Sequence, residues 1–312
     1  MNYPSKSSTL EVDAETKPHY EVELWGDRPR PPVHKQVRYP LYAGCSLAAF
    51  LFVVLLFISF VYFLFPARLN IMVLGIDRAP EGTSLGRSDT NILVTLLPLK
   101  PYVGILSIPR DLWVEIPGFG ENRINTAHFF AESQEPGSGP AAVLTTVEHN
   151  FNVDVSHYIR VQFDGLVNIV NAAGGYKLSL DEPTGGLAAG EYLLTGEETL
   201  AFVRDRQGTD DFFRMQQGQI FLTQFSAQLI NPINWSRLLA VLTALSDSID
   251  TNLPVWLWPR IGVTLMRAGP DDFDNRVIAR DMVNPFTTSE GAQVLLPDWS
   301  KILPVVEEMF GL

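Results

Sequence analysis

The chain has 312 residues and a net charge of −12, with 35 acidic against 23 basic side chains. This acidic balance argues against a nucleic acid partner, because binding to a phosphate backbone needs a basic surface. The single cysteine, Cys45, lies in the most apolar part of the chain, so no disulfide is expected in the domain that follows it.

The N-terminal part of the chain predicts a membrane anchor. Residues 1–40 are polar and rich in proline, which predicts a disordered tail. No charged residue lies between Arg38 and Arg68, and residues 41–65 are almost wholly apolar, long enough for a transmembrane helix. Basic residues precede this segment in excess, so we expect a single-pass protein of the cell membrane with a cytoplasmic N-terminus and an extracytoplasmic domain over 68–312.

Within residues 68–312, short apolar strands alternate with helices. Strands are predicted at 70–77, 91–98, 102–109, 112–117, 158–163 and 176–180. Helices are predicted at 140–150, 164–173, 196–203, 212–231, 235–248, 254–267 and 299–310. This alternation predicts the α/β class, as a layered α/β/α domain with a central mixed sheet, and leaves 268–290 as a surface excursion.

Charged side chains stand where the predicted strands begin and end. Asp77 ends the first strand, Arg87 and Asp89 precede the second, and Arg110 follows the third. If these strand ends are neighbours, their charges converge at one edge of the sheet, where α/β folds usually bind ligands. Asp77 and Asp89 are then candidate ligands for Mg²⁺, which prefers sites shared with substrate phosphates. Ordinary turn and cap roles are the alternative explanation of both aspartates.

Three more arginines, Arg204, Arg206 and Arg214, fall within eleven positions of one another. A guanidinium group offers a fork of donors that suits carboxylate or phosphate oxygens. The cluster therefore indicates an anion site, with a solvated surface of arginines and neighbouring aspartates as the alternative.

A GTSLG segment at 82–86 matches the nucleophile elbow of serine hydrolases, but a strand is predicted after it where that motif needs a helix. The histidines lack the spacing of a zinc site. Neither kind of active site is expected.

Six segments, in this order and spacing, resemble the LytR-CpsA-Psr family of cell-envelope proteins. They are IMVLGID at 71–77, GRSDT at 86–90, SIPRD at 107–111, RIN at 123–125, VRDR at 203–206 and DFFR at 211–214. The resemblance covers 69–230 closely and 231–312 more loosely.

The resemblance implies a phosphotransferase that moves a glycopolymer, such as a teichoic acid or polysaccharide, from a polyprenyl (undecaprenyl) pyrophosphate carrier to peptidoglycan. It implies that Asp77 and Asp89 hold Mg²⁺ or Mn²⁺. It assigns the pyrophosphate and the catalysis to arginines, namely Arg110, Arg204, Arg206 and Arg214, with Arg87 and Asp211 beside them. The expected partners are the lipid-linked glycan, peptidoglycan and membrane lipid.

The chain departs from the family pattern D-x-x-R-x-x-R-Q after Arg214, because Gln217 and Gly218 occupy its last two positions. We expect Gln217 to take part in pyrophosphate binding, with Gln216 and Gln219 as alternatives. The prenyl tail is expected in an apolar tunnel between the sheet and the helices over 164–173 and 212–231. Two other functions stay open, a prenyl-pyrophosphate pyrophosphatase and a non-catalytic polyprenyl-phosphate-binding protein of the envelope.

Overall fold

A computed structural model describes residues 41–64, 68–77, 85–204, 211–269 and 272–311. The chain divides into two units, Met1–Val54 and Leu55–Leu312. Over the part that the structure describes, no helix has the length and apolarity of a membrane span.

Helices and strands alternate through the larger unit. The strands are β1 (Leu69–Asp77), β2 (Arg87–Leu97), β3 (Tyr102–Ile108), β4 (Trp113–Ile116), β5 (Gly120–Arg123), β6 (His157–Gln162), β7 (Tyr176–Leu180), β8 (Gly190–Leu194), β9 (Ile249–Thr251), β10 (Phe273–Val277), β11 (Val283–Thr287) and β12 (Gln293–Pro297). The helices are α1 (Leu41–Leu64), α2 (Asn125–Gln134), α3 (Gly139–Phe151), α4 (Phe163–Ala173), α5 (Gly196–Arg204), α6 (Asp211–Ile230), α7 (Leu238–Ser248), α8 (Trp258–Arg267) and α9 (Trp299–Phe310). Two 3-10 helices, Pro232–Arg237 and Val255–Leu257, precede α7 and α8.

A six-stranded sheet in the order β10-β3-β2-β1-β6-β9 forms the centre. β1 runs antiparallel to β2 and parallel to β6, whereas β10 runs parallel to β3. The predicted α/β class with a central mixed sheet is therefore confirmed. Because β1 and β2 are antiparallel, the end of β1 and the start of β2 lie at the same edge of this sheet.

Helices cover both faces of the sheet. Successive side chains of a strand point to opposite faces, so each strand contributes to the cores on both sides. Met72 and Leu74 of β1 pack in one core with residues of α3 and α9. Ile71 of β1 and Ile92 of β2 pack in another core with residues at the start of α8. A third core joins α4, α5, α6 and α7 with the hairpin β7–β8. The two covered faces bury the apolar runs by which these strands were predicted.

The predicted surface excursion over 268–290 is wrong in its first half, because β10 is an edge strand of the central sheet. Its sequence FDNRV is mostly polar, which hid the strand from a search for apolar runs. Arg276 of β10 forms ion pairs with Asp274 at 2.9 Å and with Glu308 of α9 at 2.7 Å, so these charges are neutralised in place. Farther on, β11 pairs with β12 in a small separate sheet.

Candidate functional site

A cavity of about 350 Å³ lies between the central sheet and helices α4 to α7. Its walls are mostly apolar side chains: Val73, Ile92, Ile159 and Val161 from the sheet, Leu166 and Ile169 from α4, Phe221, Leu222, Phe225 and Leu229 from α6, Leu245 from α7 and Trp258 from α8. The cavity lies where the apolar tunnel was predicted. Its size and lining suit part of an extended apolar chain.

Charge is confined to one part of this lining, which we call the charged mouth and define by Asp89, Arg204 and Arg214. Asp89 comes from the start of β2, Arg204 from the last turn of α5 and Arg214 from the first turn of α6. The guanidinium group of Arg204 also stacks over the Phe163 ring, 4.7 Å from its centroid. A cavity with a charged mouth and an apolar interior matches a ligand with a charged head and an apolar tail.

A β-bulge in β2 aims Asp89 at the cavity. The register of β1 and β2 shifts between Gly75 and Ile76, where Thr90 pairs with Gly75 but Ser88 pairs with Ile76. Asp89 is therefore the additional residue, and a bulge of this kind redirects side chains. Asp89 and Thr90 both line the cavity as a result, although neighbours on a regular strand point to opposite faces.

Gly75 is required beside this bulge. A Cβ atom at Gly75 would come within 2.9 Å of the Cβ atom of Thr90, which is closer than two carbon atoms can pack. The G of the IMVLGID segment thus has a steric explanation, since any larger residue would displace the bulge that carries Asp89.

Arg110, two residues beyond β3, links three carboxylates next to the charged mouth. Its Nη1 atom lies 3.3 Å from Asp89, and its Nε atom lies 3.3 Å from Asp211 and 3.5 Å from Asp111. Asp211 also pairs with Arg214. The structure thus brings together Arg110, Asp89, Asp211 and Arg214, which the sequence places in three separate segments.

Burial and charge act in opposite directions on this cluster. Burial lowers the pKa of the Arg110 guanidinium group, but Asp211, Asp89 and Asp111 outweigh it and raise that pKa overall. Burial raises the pKa of Asp211 in spite of the opposing effect of Arg214 and Arg110. The arginine thus stays charged, while the carboxyl group binds a proton more readily than in water.

One donor of the cluster is left without a hydrogen bond. The Nε atom of Arg110 is buried and has no hydrogen-bond partner among the described residues, although two carboxylates lie within 3.5 Å. A buried donor without an acceptor is unfavourable, so the three carboxylates around Arg110 do not fully satisfy its guanidinium group.

Three other predicted site residues differ in how far the structure describes them. Arg206 lies outside the described residues. Asp77 is described by its backbone, which pairs with Arg87 at the same edge of the sheet as Asp89. Arg87 is exposed. Among the described side chains, no group of three or more His, Cys, Asp or Glu has the arrangement of a metal site.

The structure does not bring Gln217 to the charged mouth. Gln217 is fully buried, and its amide packs against Gly185 instead of lining the cavity. Gly185 has a φ of +61° and lacks the Cβ atom that would collide with this amide. The reason is helical phase, because Gln217 is rotated by about 100° from the cavity-lining Gly218.

The two alternatives to Gln217 do not line the cavity either. Gln219 is buried and donates its amide hydrogens to the carbonyl oxygens of Ile105 and Arg276, which connects α6 with β3 and β10. Gln216 is exposed. The expectation that a glutamine near position 217 replaces the missing charge is therefore not met by the geometry.

Sequence reasoning missed a buried polar network behind the start of β2. The carbonyl oxygen of Gly86 accepts a hydrogen bond from Nδ1 of His128 at 2.8 Å, so Nε2 of His128 is the acceptor for Nη1 of Arg160 at 3.1 Å. Arg160 also pairs with Glu132 at 3.4 Å and with Asp250 at 2.8 Å. Burial lowers the pKa of His128. This network fixes the backbone just before Arg87 and so positions the segment that carries Asp89.

Comparison with known proteins identifies the family to which this chain belongs. A family model described as the LytR_cpsA_psr family matches residues 66–281. A polyisoprenyl-teichoic acid–peptidoglycan teichoic acid transferase TagU of Enterococcus faecalis is 29% identical over 192 residues, 59% of this chain and 61% of that protein. The TagU of Bacillus cereus is 35% identical over 195 residues, 59% of this chain and 60% of that protein.

The crystal structure of Bacillus subtilis TagV has the same fold, with a TM-score of 0.63 and 24% identity over 78% of this chain and 97% of that chain. The chain spans about three fifths of the length of these two curated relatives. Because the family model covers well over half of the residues, including β1 to β10 and every segment of the candidate site, this chain belongs to the LytR-CpsA-Psr family.

Proposed function

We propose that this protein transfers a glycopolymer from a polyprenyl pyrophosphate carrier to peptidoglycan and forms a phosphodiester link. The observation that carries the proposal is the apolar cavity with its charged mouth, since a prenyl tail and a pyrophosphate need these two environments next to each other. The names of the TagU relatives, which are teichoic acid transferases, support the same reaction class.

The arginines in and beside the charged mouth would bind different parts of the pyrophosphate head group. Arg214 and Arg204 line the cavity where the pyrophosphate would join the prenyl tail. Arg110 lies beside them and is held by carboxylates until an anionic ligand competes for its donors. Phosphoryl transfer depends on positioning and on neutralising charge more than on a protein nucleophile, and arginines supply both.

In the proposed reaction, a hydroxyl oxygen of peptidoglycan attacks the phosphorus that carries the glycan. The new P–O bond forms as the bond from this phosphorus to the bridging oxygen of the pyrophosphate breaks, and polyprenyl monophosphate leaves. The proton of the hydroxyl passes to a base, for which Asp89 and Asp111 are the described candidates near Arg110 and Asp205 lies outside the described residues. No covalent enzyme intermediate is required.

A divalent cation completes the proposal. Asp77 and Asp89 would hold Mg²⁺ or Mn²⁺ at the shared edge of β1 and β2, since Mg²⁺ commonly takes one or two carboxylates together with phosphate oxygens. Bound there, the ion would supply positive charge to the phosphate oxygens. The hard oxygen donors of the mouth suit this class of ion.

We further propose that the protein is anchored in the cell membrane, with the domain over 68–312 outside the cytoplasm. The support is the sequence: an uncharged, apolar segment over 41–65 follows a basic stretch that ends at Arg38. A peptidoglycan acceptor and a membrane-bound carrier are both available on the extracytoplasmic side.

The test is a reconstitution of the full chain with a polyprenyl-pyrophosphate-linked oligosaccharide, peptidoglycan oligomers and Mg²⁺. We expect mass spectrometry to find the oligosaccharide on peptidoglycan and one polyprenyl monophosphate for each transfer. Release of glycan phosphate at the same rate without peptidoglycan would instead indicate a pyrophosphatase. No product in either condition would contradict the transferase.

A non-catalytic carrier-binding protein is the second candidate, and one observation favours it. Gly218 lines the cavity where the family pattern has a glutamine, and Gln217 is turned away, so the mouth lacks two polar side chains of that pattern. Retention of the lipid carrier without turnover in the same reconstitution would support this candidate.

A further inference from the structure

Two segments near the cavity lack acidic residues. Residues 231–246 and 251–269 contain no aspartate or glutamate, although the chain as a whole has a net charge of −12. Arg237 and Arg267 in these segments are exposed. Within each segment the charged side chains are therefore all arginines, and Asp247 and Asp250 lie between the two segments.

The same segments expose large apolar side chains. Ile233 is 83% exposed, Leu239 78% and Val255 83%. We call this set the apolar face; it consists of two stretches, with Ile233, Trp235, Leu238, Leu239 and Leu242 before β9 and Val255 and Trp256 after it. Exposed apolar side chains on this scale, bordered by polar residues, mark a surface that contacts a protein or a membrane.

The apolar face borders the cavity at the end away from the charged mouth. Leu242 is exposed on α7 and Leu245, one turn later, lines the cavity. Trp258 likewise lines the cavity two residues after the exposed Trp256. Asn234 donates to the carbonyl oxygen of Gln228 at 2.7 Å, which places the face at the C-terminal end of α6, whereas Arg214 lies in its first turn.

The end of α1 contacts the same face. Tyr62 donates a hydrogen bond to the carbonyl oxygen of Trp256, and the two rings meet edge to face with centroids 6.3 Å apart. Arg260 donates to the carbonyl oxygen of Tyr62 at 3.0 Å. Beside this contact, α1 exposes Phe60 and Val61. The end of α1 and an apolar face with tryptophans therefore meet at one place, as at a membrane interface.

We propose that the apolar face docks on the surface of an anionic phospholipid bilayer and holds the apolar end of the cavity against it. The tryptophans and leucines enter the headgroup region as in an interfacial amphipathic helix, while Arg237 and Arg267 attract anionic headgroups. A second copy of the chain is a poorer occupant, because pairing two such faces would bring these arginines close to their equivalents. The proposal rests on the proposed function only for the identity of the lipid that enters the cavity.

The test of docking uses the full chain in vesicles of phosphatidylglycerol and phosphatidylcholine with brominated acyl chains, which quench fluorescence inside a bilayer. Cys45→Ser first removes the native thiol, and Leu239→Cys or Val255→Cys then carries a fluorophore. Phe286→Cys is the matched control, since Phe286 is also an exposed apolar residue but lies on β11. We expect quenching of about twofold or more at 239 and 255 and none at 286.

Equal fluorescence at all three positions would overturn the proposal. So would a signal at 239 and 255 that depends on protein concentration in detergent and ignores brominated lipid, because this would identify a second copy as the occupant. Neither result depends on whether the protein is a transferase.

A second measurement connects docking with substrate entry. The triple variant Ile233→Asn/Leu239→Asn/Val255→Asn changes only exposed residues and is expected to fold. Its turnover should fall about tenfold or more with a long-chain carrier in vesicles but stay unchanged with a short-chain carrier in solution. Equal turnover of variant and wild type in vesicles would contradict the role of docking in entry. Absence of turnover by the wild type with both carriers would count against the proposed function, and the quenching result would still decide the docking.

Discussion

Replacement of Arg110 by methionine is expected to separate stability from catalysis. The substitution keeps an unbranched side chain but removes the charge that faces Asp89, Asp111 and Asp211 at 3.3 to 3.5 Å. Three carboxylates then remain close together with one fewer cation between them. Both the folded state and the bound pyrophosphate lose an electrostatic partner.

The loss of stability follows from the partial burial of this cluster. Removing one partner costs about 3–5 kcal/mol for a buried ion pair, whereas an exposed pair is worth about 0–1 kcal/mol. Arg110 is 23% exposed and its partners 16–28%, so an intermediate loss of about 2 kcal/mol is expected. In a domain of this size, that corresponds to a fall in Tm of about 4–8 °C.

The loss of turnover is expected to be larger and of separate origin. Removing one group that stabilises charge in a transition state lowers kcat by about 10²–10³-fold. In Arg110→Met/Asp211→Asn, one of the three carboxylates that repel one another is gone, so part of the Tm should return while turnover does not. Thermal unfolding and glycan transfer, measured on the same preparations of the full chain, give both quantities.

Arg276→Met is the matched control. Arg276 also joins two carboxylates, Asp274 and Glu308, but it does not line the cavity. We expect a lower Tm with unchanged turnover. The reasoning is refuted if Arg110→Met keeps wild-type turnover, or if turnover returns in parallel with Tm in the double variant, because Arg110 would then act only through folding.

Three further changes test other parts of the structure. Because burial lowers the pKa of His128, the unfolded chain binds more protons than the folded chain below about pH 6.5, and stability falls there. His128→Asn should therefore flatten the fall of Tm between about pH 7.5 and pH 5.5. The control His149→Asn, at an exposed histidine, should leave that fall unchanged. Gln217→Met removes a buried amide that has no hydrogen-bond partner among the described residues, so Tm should rise by about 2–4 °C with equal turnover, and a loss of turnover would support the predicted role in pyrophosphate binding. Gly218→Leu fills part of the cavity and should weaken retention of the lipid carrier by about tenfold. The control Gly262→Leu, whose Cβ atom meets open space, should retain the carrier as the wild type does. Equal retention by both variants would show that the tail binds elsewhere.

The parts of the fold that the sequence predicts are those with a strong apolar pattern. β1 and α6 begin and end within one residue of the predicted 70–77 and 212–231. α2 was missed because most of its buried positions hold polar residues, among them His128 and Glu132, so its apolar period is weak. His128 and Glu132 are satisfied by Gly86, by Arg160 and by the backbone N–H groups of residues 137 and 139, which only the tertiary structure reveals.

The candidate site was predictable as a set of charges but not as a geometry. The ends of the predicted strands indicate that Asp89 and Arg110 share one edge, and the family resemblance adds Arg214 to them. The bulge that turns Asp89 towards the cavity depends on a register shift opposite Gly75, which no local pattern indicates. The burial of Gln217 depends likewise on the rotation of α6 against Gly185. The catalytic and metal-binding roles of these residues remain predictions.

α6 sets the distance between the two ends of the cavity. Arg214 at its start and Leu229 near its end both line the cavity, and fifteen residues at 1.5 Å each set them roughly 22 Å apart. Insertion of a single residue would rotate everything downstream by about 100° and take Phe221 and Phe225 out of the wall. If the cavity holds a prenyl tail as proposed, side-chain volume along this helix, at positions such as Gly218 and Ser226, would help to set how much of the tail fits.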